Sequence, residues 1–124
     1  MNVKKYRDII IEVYLSFNNR NLDAVLSFMH KDVLWPNVWE GGYVKGHEEF
    51  RDYWSRQWKS ISPKVEPVAI KAKGKNKYEV VVHQIVKDLT GKLLSDGIVK
   101  HIYQFKSGLI KSMEIEKNIT QILF

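Results

Sequence analysis

Apolar positions in the first third of the chain recur with helical spacing. Tyr6, Ile10, Val13, Tyr14 and Phe17 fall on one stripe of a helix expected over residues 3–18. Asn18, Asn19 and Asn21 stop it. The pattern restarts at NLDAVLSFMH, where Asn21 can cap a short second helix and Asp23 sits beside its positive end. Leu22, Val25, Leu26 and Met29 form the apolar side of that helix, which is expected to end near His30. Asp32 to Pro36 reads as a short strand whose pairing ends, or moves to an edge, at the proline. Gly41, Gly42 and Gly46 mark loops. A third helix then carries Glu48 and Glu49 in its first turn and Phe50, Tyr53, Trp54 and Trp58 at helical spacing, with Pro63 closing it.

The remainder reads as strand. Segments 65–72, 78–88, 92–105 and 109–117 are separated by the turns GKNK, LTG and KSG. Three helices followed by a four-stranded meander predict an α+β fold, with the helices on one face of a curved antiparallel sheet. The length of 124 residues suits a single domain spanning 1–124.

The turn after Asp88 decides which side chains share a face. Asp88-Leu89-Thr90-Gly91-Lys92 fits a type I turn with glycine in the left-handed position, the three-residue bulged hairpin. His83 would then lie opposite Gly97 and His101 opposite Glu79. Val81, His83 and Ile85 would share a face with Val99, His101 and Tyr103. A two-residue turn would instead send the two histidines to opposite faces. On the bulged register, Val80, Val82, Val86, Ile98 and Ile102 make the other face apolar too. A sheet apolar on both faces needs helices on one side and a partner on the other, so a homodimer through the sheet is expected.

Composition narrows the classes. Hydrophobic residues make up 44% and charged residues 27%, the balance of a globular protein, and no apolar run approaches the length of a membrane span. The N-terminal apolar stretch is broken by Asp8 and Glu12 and reads as an amphipathic helix, not a signal peptide. The absence of cysteine removes disulfides and thiolate metal sites and fits a cytoplasmic location. Net charge is +6, and the excess lies in the second half, with eleven Lys/Arg against six Asp/Glu over residues 63–124. Part of it is the run KAKGKNK, Lys71 to Lys77. No aromatic residue interleaves there to stack on bases, so the lysines are read as protecting a strand edge, and no nucleic-acid or membrane partner is expected.

Motifs for known chemistries are missing. The chain has no GxSxG, no phosphate-binding glycine loop, no GxGxxG and no HExxH, so neither a cofactor nor a metal is expected. The candidates for acid–base chemistry are His101 and His83, because imidazole titrates near neutrality. The segment VLWPNVWEGG, Val33 to Gly42, concentrates aromatic and polar groups where regular structure breaks down. Trp35, Asn37, Trp39 and Glu40 are candidates there for the wall or mouth of a site.

Taken together, the first helix, NRNLDAVLSFMHKDV, the Trp/Pro-rich segment, GHEEFRDYW and the four strands with their glycine turns resemble the nuclear transport factor 2-like superfamily, in its SnoaL-like and ketosteroid isomerase-like branch. The resemblance covers nearly the whole chain. It implies a cone, with four long strands and a short first strand wrapped on the three helices around a pocket. Ketosteroid isomerase uses an aspartate base and an oxyanion hole of tyrosine and protonated aspartate. By the resemblance the base position falls on Asn37, the tyrosine position on Val13, next to Tyr14, and the oxyanion aspartate on His101. All three differ, which implies a pocket without the ketosteroid reaction. Trp54, Trp58, Tyr14 and Tyr103 join the candidate ligand-binding residues. Three functions follow: an isomerase-, cyclase- or dehydratase-like enzyme on a small apolar carbonyl or hydroxyl compound, a non-catalytic ligand-binding protein, or a dimeric interaction module.

Overall fold

The N-terminal stripe buries as its spacing requires. In the computed structural model, which describes residues 3–38 and 40–117, helix α1 (Val3–Asn18) buries Tyr6, Ile10, Val13, Tyr14 and Phe17. Helix α2 (Leu22–Ser27) starts at Asn21, whose side chain accepts a hydrogen bond from the Ala24 N–H at 3.1 Å. Its six residues are followed at once by strand β1 (Met29–Pro36), earlier than the expected start at Asp32. The sheet continues with β2 (Tyr43–Lys45), which precedes helix α3 (Gly46–Gln57). Four long strands follow: β3 (Ile61–Ala72), β4 (Lys77–Asp88), β5 (Leu93–Lys106) and β6 (Leu109–Lys117). Trp39 and the C-terminal segment 118–124 lie outside the described residues.

The six strands form one unclosed sheet in the order β2-β1-β6-β5-β4-β3. The expected antiparallel meander is present, and β1 extends it by pairing parallel to β6. The three-residue strand β2 is too short to show a period and was not expected. Pro63 does not close α3. It is buried inside β3, and that strand accepts Pro63 and Pro67 because it is the sheet's edge. The lysines of KAKGKNK are exposed on and beside the same edge strand. Among the described residues, no helix is long and apolar enough to cross a membrane.

The β4–β5 turn forms as expected, but the register beyond it does not. The Asp88 N–H donates to the Lys92 carbonyl at 2.9 Å, and Gly91 has a φ of 95°. Lys87 pairs with Leu93, yet Val86 pairs with Ser95, so Leu94 is an extra residue in a bulge. Every later partner is displaced by one: His83 pairs with Ile98, and His101 with Val80. With a side-chain period of two, that displacement exchanges faces. Val80, Val82 and Val86 therefore share the concave face with Val99, His101 and Tyr103. His83 lies on the convex face with Val81, Ile85, Ile98 and Ile102. The two histidines are on opposite sides, and the apolar convex set differs from the expected one.

Candidate functional site

Three buried side chains from two places in the sequence meet inside the cone. Tyr14 projects from α1, and His101 and Tyr103 stand two residues apart on the concave face of β5. The Tyr103 hydroxyl donates to the Tyr14 oxygen at 2.9 Å, and the Tyr14 hydroxyl lies 2.7 Å from His101 Nδ1. Burial holds the imidazole's pKa down, from the usual 6.5 to about 4, so it is neutral at physiological pH. Burial likewise pushes both phenols above their ordinary range.

A neutral imidazole lets the protons of this chain run in either sense. When Tyr14 donates to Nδ1, the ring proton sits on Nε2, and the imidazole offers a donor. When Nδ1–H donates to Tyr14 and Tyr14 to Tyr103, Nε2 becomes an acceptor and the Tyr103 O–H is released. One constellation can thus supply a hydrogen-bond donor or a proton acceptor at the same place.

That constellation lines a cavity of about 400 Å³. Its walls are mostly apolar, including Val13, Phe17, Trp35, Phe50, Trp54 and Met113. Trp35 is set against Phe50 edge-on at 5.1 Å, and Trp54 against Phe17 at 4.7 Å. Near the exposed rim, the Tyr43 hydroxyl donates to the Glu114 carboxylate at 2.6 Å. Among the described residues, no group of three or more His, Asp or Glu could hold a metal.

Of the candidates read from the sequence, the pocket gathers His101, Tyr14, Tyr103, Trp35 and Trp54. Trp58 packs behind it, 5.2 Å from Phe17, with the Arg20 guanidinium 5.0 Å over its ring. Asn37 is buried, but its amide is used locally: Oδ1 accepts from the Glu40 N–H at 2.9 Å and Nδ2 donates to the Glu40 carboxylate at 3.0 Å. Glu40 in turn pairs with Arg56, and that pairing lowers the carboxyl's pKa. Asn37 and Glu40 therefore tie the loop after β1 to α3, and Trp35 is the part of VLWPNVWEGG that reaches the cavity. His83 lies away from the cavity, its Nε2 2.6 Å from Asp96 on the convex face. Val13, where the family's tyrosine position falls, also lines the pocket, but Tyr14 is the residue that reaches His101.

Sequence reasoning missed Gln84, Tyr43 and Glu114 as lining residues. Gln84 carried a legible signal, since it is the one polar side chain among Tyr78, Val80, Val82 and Val86 at alternating positions of β4. Tyr43 and Glu114 carried none, because their meeting depends on β2.

An α+β cone with a buried polar chain at an apolar cavity has the form of a small-molecule pocket protein. The chain belongs to the SnoaL-like domain family, which matches residues 10–113. No curated protein matches it in sequence. Solved structures of similar fold include an NTF2-like protein of unknown function from Burkholderia pseudomallei, with 20% identity, 99% of this chain and 96% of that one covered and a TM-score of 0.81. TerC co-crystallised with polyporic acid is also similar, at 20% identity, 96% and 95% coverage and a TM-score of 0.80. A Mycobacterium tuberculosis protein in complex with estradiol-17beta-hemisuccinate follows at 14% identity, 94% and 95% coverage and a TM-score of 0.79.

Proposed function

We propose that residues 1–124 form one SnoaL-like domain that binds a small, largely apolar carbonyl or hydroxyl compound and acts on it by proton transfer. The reaction would be an isomerisation, cyclisation or dehydration, carried out in the cytoplasm without a cofactor. The observation that carries this reading is the Tyr103–Tyr14–His101 chain, which brings a reversible donor–acceptor set to an otherwise apolar cavity. Proteins of the same fold solved with polyporic acid and with estradiol-17beta-hemisuccinate support a small-molecule ligand.

In the proposed mechanism, the apolar walls hold the ligand body and exclude water. In one proton sense a carbonyl oxygen at the polar end accepts from Nε2–H. In the opposite sense it accepts from the released Tyr103 O–H, while Nε2 takes a proton from the ligand. His101 is the catalytic residue of this reading, with Tyr14 and Tyr103 setting its tautomer. His83, on the convex face, takes no part. The ketosteroid reaction is not proposed, because Asn37 has no useful basicity.

The test is α-proton exchange of a bicyclic ketone in D₂O, followed by NMR. The protein should accelerate exchange, and His101→Gln should lose the acceleration while still binding the ketone. Binding without exchange would leave the non-catalytic ligand-binding alternative. A second copy covering the convex face is part of the proposal, supported by half-buried Val81, Ile85, Ile98 and Ile102.

A further inference from the structure

Resting on that reading of the pocket, we infer that its ligand is elongated and bifunctional, with a second neutral hydroxyl or carbonyl group that hydrogen-bonds to Gln84. Gln84 lies on the concave face of β4 and lines the cavity. It pairs across the sheet with Gly97, which has no side chain to occupy the space beside it. Its carboxamide makes no hydrogen bond to any described residue, whereas Tyr14, Tyr103 and His101, and Tyr43 and Glu114, are engaged with one another. The carboxamide carries donors and an acceptor, so it can serve a hydroxyl or a carbonyl alike.

The register gives the span. His101 pairs with Val80, and Gln84 pairs with Gly97, so the two polar positions are four residues apart along each strand. At roughly 3.3 Å per residue, that separation is about 13 Å. Val82 and Val99 form the rung between them, so the intervening wall is apolar. A ligand touching both poles therefore carries its two polar atoms on the order of 10 Å apart, allowing for the reach of each side chain. His101 marks the inner pole. Gln84 marks the outer pole, toward the end of the cone where β4 ends and β5 begins. No described lining residue is a lysine or arginine, so a carboxylate at the outer end would find no cation to pair with.

The test uses three ketones in isothermal titration calorimetry: a ten-carbon methyl ketone, the same ketone with a terminal hydroxyl, and its isomer with the hydroxyl at mid-chain. The terminal hydroxyl should tighten binding to the wild-type protein about tenfold over the plain ketone, and the mid-chain hydroxyl should not. Gln84→Leu should collapse the tenfold difference, and Gln84→Asn, shorter by one methylene, should lose most of it. Equal binding of the plain and terminally hydroxylated ketones by the wild type would overturn the second pole while leaving the pocket intact. So would equal tightening by both hydroxyl isomers. No binding of any of the three ketones would overturn the apolar-pocket reading and this inference with it.

Discussion

Tyr14 and His101 lie 87 residues apart in sequence and 2.7 Å apart in space. Their hydrogen bond joins the first helix to the fifth strand at the place where the cavity's polar groups gather. Both partners are buried, so neither can exchange the contact for water without opening the core. The site and the stability of the cone are therefore coupled through one pair.

Removing the middle of the chain isolates that coupling. Tyr14→Phe keeps the ring in the core but deprives the Tyr103 hydroxyl and His101 Nδ1 of their shared partner. A loss of about 1–3 kcal/mol of unfolding free energy is expected in urea titrations, with the unfolding slope unchanged. Exchange of bound ketone α-protons should fall with it.

Stability should depend on pH through His101. Its folded pKa is lowered to about 4 against an ordinary value of 6.5. Between those values the unfolded chain binds the proton and the folded chain does not. The contribution is fully present above pH 6.5, declines as pH falls, and is gone below about 4. The loss attributable to this residue is on the order of 3 kcal/mol. Denaturation across pH 7 to 4 should show a flatter decline in His101→Gln than in the wild type; identical slopes would contradict the burial of a neutral imidazole.

Asn18 should matter more than its place at a helix end suggests. Its side-chain amide donates to the Val65 carbonyl at 2.7 Å and accepts from the Val65 N–H at 2.9 Å, pairing with the open edge of β3 as a strand would. Asn18→Ala should cost about 1–3 kcal/mol. Hydrogen exchange should become faster at the Val65 amide first.

The loop after β1 separates two kinds of contact. Asn37→Ala removes a buried pair of hydrogen bonds to Glu40 and should lower the melting temperature measurably. Arg56→Ala breaks only exposed ion pairs to Glu40 and Asp52 and should move it far less, with the remaining effect disappearing in high salt.

Helical and strand periods, turn residues and the order of the elements were legible along the chain because they are local properties. They were sufficient for three helices, the four-stranded meander, the Asn21 cap and the turn at Gly91. Tyr14, Trp35, Trp54, His101 and Tyr103 were legible as candidates because aromatic and titratable groups on apolar faces are visible in a sequence. Gln84 left a trace as a polar break in an apolar alternation.

What the tertiary structure alone decided is which of these groups meet. A one-residue bulge at Leu94, invisible to the turn chemistry beside it, reversed the face of His83 relative to His101. The parallel pairing of β1 with β6 and the short β2 brought Tyr43 to Glu114. Asn37, expected at the site, was engaged by its own loop. The physical reason is common to all three. Periodicity reports which side of an element is apolar, but pairing register and loop closure are set by contacts between segments distant in sequence, and a displacement of one residue on a strand exchanges one face for the other.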